Sequence, residues 1–157
     1  MDGLIEIVFE SISIENANAF LPGFILKTEN IISASIIGES DQNVNVTTLP
    51  QFIRATIESR GDCIIMLNIY NASICNRIVE NASIQIISYS KNLDLVLIFS
   101  TIDLRSSGIK YSNEIFKWAI SINQTLNAKK IFGGLEPAQD KETQIFSNAH
   151  VGPIMEI

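Results

Sequence analysis

The sequence predicts a single α+β domain, residues 1–157, in which two main helices pack on one mixed, mainly antiparallel sheet of five or six strands. Three observations lead to this fold class. The length suits one domain, and the 46% of hydrophobic residues are enough to fill one core. Several stretches alternate apolar and polar residues, as strands do, between short polar turns. Two longer stretches instead repeat their apolar residues with the period of a helix.

The N-terminal part of the chain predicts a strand, a short helical turn and a hairpin. Residues 4–14 carry apolar side chains at alternate positions, which is typical of a strand with one buried face. Residues 16–21 fit one helical turn, which the Pro22-Gly23 pair is expected to end. Residues 24–28 and 31–37 predict the two strands of a hairpin.

The first main helix is predicted for residues 49–60. Thr48 suits the N-cap position, and Pro50 lies in the first turn, where its missing N–H does no harm. Gly61 is a typical C-terminal stop. The apolar residues of this stretch fall on one side of a helix, which predicts that it packs on the sheet.

The middle of the chain predicts further strands. Residues 62–70 are apolar with little alternation, which indicates a central strand covered on both faces. A short helix is expected from Ser73. Residues 83–89 and 93–101 predict a hairpin, because both alternate and a polar turn separates them.

The second main helix is predicted for residues 113–127, with Ser112 as its cap. Its apolar arc covers about half of the circumference, and Phe116 and Ile120 lie on one flank of that arc. Two interpretations remain open for this flank: neighbouring segments of the chain cover it, or it forms part of an interface with another molecule.

The C-terminal part predicts one last strand that starts at Ile131, and a further possible strand at residues 144–147. Between them the chain passes through Gly133-Gly134 into a segment rich in Gly, Pro and acidic residues. Glycine allows a close approach of the backbone or a positive φ, so a structural turn is expected there. The acidic residues of this segment are Glu136, Asp140 and Glu142.

The charge of the chain constrains its partners. Seventeen Asp and Glu against eleven Lys and Arg give a net charge of −6, which disfavours direct binding to nucleic acid or to an anionic membrane. Such a surface attracts a basic protein partner, although it also serves solubility alone. No leader or apolar run long enough to cross a bilayer is visible in the sequence, so a cytoplasmic protein with Cys63 and Cys75 unpaired is expected.

The sequence offers little catalytic chemistry. The only histidine is His150, and it lies in a loop-like stretch, so a nucleophile with a histidine base is not indicated. Two isolated cysteines and one histidine cannot build a zinc site, and no phosphate-binding loop is present. We therefore expect no metal and no cofactor. Carboxylates remain, so the alternative is a small enzyme or ligand-binding protein that uses a carboxylate in a cleft near Gly133-Gly134. A subunit of a homo-oligomer, such as a homodimer, is a third possibility.

The C-terminal residues carry a resemblance to a known family. The run from Gly133 to Ala138, the acids Asp140 and Glu142, the pair Ile145-Phe146 and the pair Gly152-Pro153 resemble the ending of small bacterial immunity proteins of contact-dependent growth inhibition and other polymorphic toxin systems. The likeness covers about the last 25 residues, and the rest agrees in size and α+β character.

This resemblance implies a function. The chain would be a non-enzymatic inhibitor that binds and blocks one cognate toxin domain in the cytoplasm, and the toxin would be a basic domain, often a nuclease. The acidic side chains would stand in for substrate phosphates, while apolar anchors would supply affinity. The candidate partner-binding residues are Glu136, Asp140, Glu142, Phe116 and Ile120.

Overall fold

The computed structural model describes residues 2–148 and 150–157, and over these residues the chain forms one open antiparallel sheet of eight strands with four α-helices. The strand order is β2-β3-β4-β5-β1-β6-β7-β8, so the first strand lies in the middle of the sheet. The elements in chain order are β1 Leu4–Ile12, α1 Ile14–Ile25, β2 Ile31–Ile36, α2 Leu49–Arg60, β3 Cys63–Ile74, β4 Arg77–Tyr89, β5 Asn92–Ser100, α3 Thr101–Ser106, α4 Ser112–Leu126, β6 Lys130–Leu135, β7 Gln144–Ser147 and β8 His150–Val151.

The predicted sheet of five or six strands with two main helices is therefore wrong in its counts, and the sheet is antiparallel throughout rather than mixed. Part of the difference lies in the β3–β4 hairpin. The helix expected from Ser73 does not form, because β3 continues to Ile74 and turns directly into β4. The two turn residues, Cys75 and Asn76, both have positive φ, at 53° and 57°, which is the geometry of a tight hairpin turn.

The hairpin predicted for residues 24–28 and 31–37 is also wrong, because α1 runs through Pro22 to Ile25. A proline inside a helix costs about 3 kcal/mol. The burial of the following residues offsets this cost: Phe24 is 1% exposed, and its ring lies 5.3 Å from Phe20 and 6.2 Å from Phe99. Tertiary packing therefore overrides the local stop signal of Pro22-Gly23.

Other elements are confirmed. The helix α2 begins at Leu49 and ends at Arg60, and Gly61 has the positive φ of 69° that only glycine adopts easily. The hairpin of β4 and β5 turns at Ser90 and Lys91. The helix α4 agrees with its predicted range to within one residue, although Ser112 is its first residue and Tyr111 its N-cap.

The core lies between the helices and one face of the sheet. Alternate residues of the central strands, such as Ile7, Leu67 and Leu97, are completely buried there. All four helices contribute to this layer. None of the helices in the described part of the chain is long and apolar enough to span a membrane.

Candidate partner-binding face

In the described part of the chain the helices pack on one face of the sheet and leave the second face, which we call the open face, without a helix. The strand registers bring a second set of alternate residues together there, because every strand presents successive side chains to opposite faces. The members are Glu6, Val8 and Glu10 on β1, Ile64, Met66, Asn68 and Tyr70 on β3, Ser83, Gln85, Ile87 and Tyr89 on β4, Asp94, Val96 and Ile98 on β5, and Lys130 and Phe132 on β6. The expectation that β3 is covered on both faces is wrong for this reason.

The open face is apolar in its middle. Ile64, Met66, Ile87 and Ile98 are half-buried, and Ile87 and Ile98 pack against the cluster of Val8, Val96, Phe132 and Ala138. Tyr70 at one end is 46% exposed. Apolar area of this kind at the surface of a folded domain makes the open face a candidate for binding another protein.

Acidic side chains accompany this apolar area. Asp94 accepts hydrogen bonds at 3.0 Å from the backbone N–H of Ser11 and at 3.0 Å from the hydroxyl of Tyr89. Partial burial and the bond to the Asp94 carboxylate raise the pKa of Tyr89, so its hydroxyl stays protonated and holds the carboxylate in place. The open face thus presents a fixed negative charge beside its apolar middle.

Residues 136–143, which we call the acidic segment, fold back over one end of the open face. Ala138 is completely buried in a small cluster with Val8, Val96 and Phe132. Its N–H donates to the Glu6 carboxylate at 3.1 Å. Further hydrogen bonds join Gln144 Nε2 to the Ala138 carbonyl at 3.2 Å and the Glu136 N–H to the Leu4 carbonyl at 3.1 Å. These bonds anchor the first part of the segment to the sheet, and its last part continues into β7.

The three acids of this segment lie at its surface. Glu136, Asp140 and Glu142 are all exposed, and the ion pairs within the described residues do not include them. The segment holds three carboxylates on an ordered backbone, next to the apolar part of the open face. Carboxylates fixed in this way can meet cations of a partner without a large loss of conformational entropy.

Gly133 and Gly134 lie inside β6, not in a turn. A Cβ on Gly133 would come within 2.5 Å of the Phe146 ring, and a Cβ on Gly134 within 2.8 Å of the Thr143 carbonyl oxygen. The expectation of a close backbone approach is confirmed, and the expected turn at this position is wrong. Because β7 fills the space beside both glycines, they do not border a ligand cleft of their own.

The two apolar candidates on α4 lie on the other side of the sheet. The Phe116 ring lies 5.6 Å from the Phe146 ring and packs against the core, so neighbouring segments half-bury it. Ile120 is 43% exposed. The structure therefore does not bring Phe116 and Ile120 together with Glu136, Asp140 and Glu142.

The remaining reactive side chains do not form a site. Cys63 and Cys75 are free and stand at opposite ends of β3. Burial, with a smaller contribution from the Glu114 carboxylate, raises the pKa of the Cys75 thiol to about 12. Within residues 2–148 and 150–157, Asp, Glu, His and Cys side chains nowhere gather in a group that can hold a metal ion.

A sheet with helices on one face and an uncovered apolar face with ordered carboxylates on the other defines the class of the protein: a small α+β domain that binds another protein. The family model described as PABL017 Cdi1I immunity protein matches residues 3–151, and the chain belongs to that family. The resemblance seen in the C-terminal residues is thereby confirmed, and it extends over nearly the whole chain. Membership of an immunity family agrees with a binding rather than an enzymatic role.

A solved structure gives the same fold. The chain is 25% identical to a chain of the crystal structure of the toxic C-terminal tip of CdiA from Pseudomonas aeruginosa in complex with immune protein. The match covers 98% of this chain and 99% of that chain, with a TM-score of 0.81. Comparison with curated protein sequences gives no match.

Proposed function

We propose that this chain is an immunity protein that binds a cognate CdiA-type toxin domain and blocks it in the cytoplasm. One observation carries the proposal: the Cdi1I immunity family model covers residues 3–151. The structural likeness supports it, since the similar chain comes from a complex of a CdiA toxin tip with its immune protein. Because the family model describes an immunity protein, we take that similar chain to be the immune protein of the complex.

We propose further that the toxin docks on the open face together with the acidic segment. The half-buried Ile64, Met66, Ile87 and Ile98 offer apolar area that the chain itself leaves uncovered. Glu136, Asp140 and Glu142 adjoin this area on a segment anchored to the sheet. An interface of this composition has an apolar centre for affinity and a charged rim for association rate and specificity.

The acidic segment also suggests the character of the toxin. The three carboxylates and the net charge of −6 fit a basic partner surface, and a nuclease cleft is basic because it holds phosphates. In this proposal the carboxylates occupy the positions of substrate phosphates, and the toxin is a nuclease. Direct binding of nucleic acid by this chain is disfavoured by the same negative charge.

The experiment that tests the acidic segment is the triple variant Glu136→Lys/Asp140→Lys/Glu142→Lys. Each reversal adds two positive charges, so the net charge changes from −6 to about zero. Steering by rim charges acts on association, so we expect the association rate constant for the cognate toxin to fall by about tenfold or more at low salt. The salt dependence of that rate should flatten, while the thermal unfolding midpoint stays nearly unchanged because the three side chains are exposed.

A matched control separates local from global charge. Glu29→Lys/Asp41→Lys/Glu156→Lys makes the same change of net charge at exposed positions outside the acidic segment and the open face. An equal effect of both triple variants, or an unchanged rate and salt slope in the first, would show that the acidic segment is not the toxin-binding surface. Co-expression with the cognate toxin domain tests immunity itself: the wild-type chain should protect cells from that toxin and not from an unrelated one.

A further inference from the structure

A pocket of about 680 Å³ opens beside the acidic segment, between β6, β7 and β8. Its charged side chains are those of Lys130 and Lys141, His150 adds an imidazole, and none of the described residues that line it is acidic. This composition is unusual in a chain with seventeen acidic and eleven basic residues. The pocket therefore collects two ammonium groups at the edge of the acidic segment.

Among the residues that the structure describes, the two lysines of this pocket form no ion pair. The ion pairs of the described residues all use arginines, and Lys130, Lys141 and His150 form none. Glu10 stands opposite Lys130 in the register of β1 and β6, yet the two do not pair. The Lys130 ammonium instead lies 5.0 Å from the centroid of the Phe132 ring.

The rest of the lining suits a carboxylate. Gln139 and Ser147 add groups that can donate hydrogen bonds to an anion. Val151 and Pro153 give the pocket apolar surface, whereas Phe132 also borders it but is only 1% exposed. An Asp or Glu side chain combines a charged end with a short apolar stem, and both parts find matching surface here.

The position of the pocket decides between a protein partner and a free anion. Gln139 and Lys141 belong to its lining, while Asp140 lies between them in the acidic segment. A toxin that contacts the acidic segment therefore reaches the pocket as well. Covering lysines without an opposite charge is strongly unfavourable, so such a partner must bring its own anion to this point.

We propose that this basic pocket, lined by Lys130, Lys141 and His150, receives an acidic side chain of the toxin. The inference rests on the proposed function. The toxin-binding surface then carries charge pairs in both directions: carboxylates of the chain meet cations of the toxin, and the pocket binds an Asp or Glu of the toxin. Such an alternation restricts the number of partners that fit, because a uniformly basic surface would be repelled at the pocket.

The test is the variant Lys130→Gln/Lys141→Gln, measured against the purified cognate toxin domain. We expect its Kd to rise by about tenfold or more, mainly through faster dissociation, since a covered charge pair acts on the dissociation rate. The control Lys110→Gln/Lys117→Gln makes the same change of net charge at exposed positions on the helix side and should alter Kd by less than about twofold. If the double variant loses stability, the Kd of the single variant Lys141→Gln is measured in its place, because Lys141 is exposed on the acidic segment.

A double-mutant cycle identifies the counter-ion. Each Asp and Glu of the toxin is changed to Asn or Gln, and we expect one of them to weaken binding to the wild-type chain but not to the double variant. Titration of the free chain with inorganic phosphate, followed by NMR, tests the other source of an anion.

The outcomes separate the two proposals. An unchanged Kd in the double variant, with tight binding by the wild-type chain, overturns the pocket and leaves the proposed function intact. If the double variant loses phosphate binding but keeps its affinity for the toxin, the proposed role of the pocket is also overturned, and the pocket binds a free small anion instead. A wild-type chain that does not bind the toxin at all overturns the proposed function itself.

Discussion

Ala138 is the anchor of the acidic segment, so we expect Ala138→Asp to release that segment while the sheet stays folded. The Ala138 side chain is completely buried beside Val8, Val96 and Phe132, and its N–H donates to Glu6. An aspartate at this position would bury a second carboxylate next to Glu6 without a counter-ion. Since a buried unpaired charge costs about 3–5 kcal/mol, detachment of the segment is the cheaper response.

The contacts set the size of the effect. The hydrogen bond to the Glu6 carboxylate contributes about 1.5–3 kcal/mol, the one from Gln144 about 0.5–1.5 kcal/mol, and the buried methyl group about 0.8 kcal/mol. Local opening of the wild-type segment therefore costs about 3–5 kcal/mol, which corresponds to protection of the amide at position 138 by a factor of ~10² to ~10⁴ against hydrogen exchange. In Ala138→Asp we expect this protection to disappear, while the amides of β3 and β4 remain protected.

Hydrogen exchange followed by mass spectrometry measures this directly, with Ala138→Gly as the control that removes only the methyl group. The same variant should lose the fast, salt-dependent association with the toxin, because its three carboxylates no longer lie on an ordered backbone. Retained protection at position 138 would refute the anchoring role. Equal loss of protection in β3 and β4 would refute the idea that the segment opens on its own.

Two further predictions concern the helix side of the molecule. Phe116→Ala should lower the free energy of unfolding by about 2–4 kcal/mol, because Phe116 packs on Phe146. Ile120→Gln should change it by about 0.5 kcal/mol or less, because Ile120 is exposed. Chemical denaturation measures both values, and equal effects would contradict the packing seen at α4. At about pH 8 the Cys75 thiol of the native protein should react with iodoacetamide ~1000-fold more slowly than in denaturant. The reason is that a pKa of about 12 instead of 9.0 leaves only ~0.01% of the thiol as thiolate. Alkylation of the native protein at the denatured rate would show that the thiol is not buried.

Local signals in the sequence were sufficient for some elements. An early proline and a terminal glycine mark the two ends of α2 and act within the helix or next to it, whereas Thr48 precedes the helix without a side-chain hydrogen bond to it. The β4–β5 hairpin is equally local, because two alternating stretches flank one polar turn. The exposure of the acids in the acidic segment is also predicted by a local signal, since they lie together in a loop-like stretch.

Elements that depend on distant contacts were not predictable in this way. Pro22 ends a helix in isolation, but α1 continues because Phe24 packs against Phe99, a residue far along the chain. The β3–β4 turn is formed by Cys75 and Asn76, and cysteine is not a typical turn residue with positive φ. Only the long pairing of β3 with β4 determines the turn.

The open face was missed for a related reason. Ile64, Ile65, Met66 and Leu67 are all apolar, so the pattern of β3 predicts burial on both sides. Which side stays uncovered depends on where the helices pack, and that is a property of the whole fold. The signal that was available lies in the neighbouring strands, where polar residues such as Gln85 alternate with buried ones.

The central position of β1 also has a consequence for the time at which protection can begin. Leu4 pairs with Ser100 and Ile5 pairs with Leu135, so β1 must wait for strands that are synthesised much later. The strands β2 to β5 can associate in chain order, but β6, β7 and β8 join the sheet only through β1. Contacts of such high sequence separation slow folding. In the proposed function, a newly made chain therefore protects only after β6 and β7 have joined β1, because the acidic segment between them takes its place at that step.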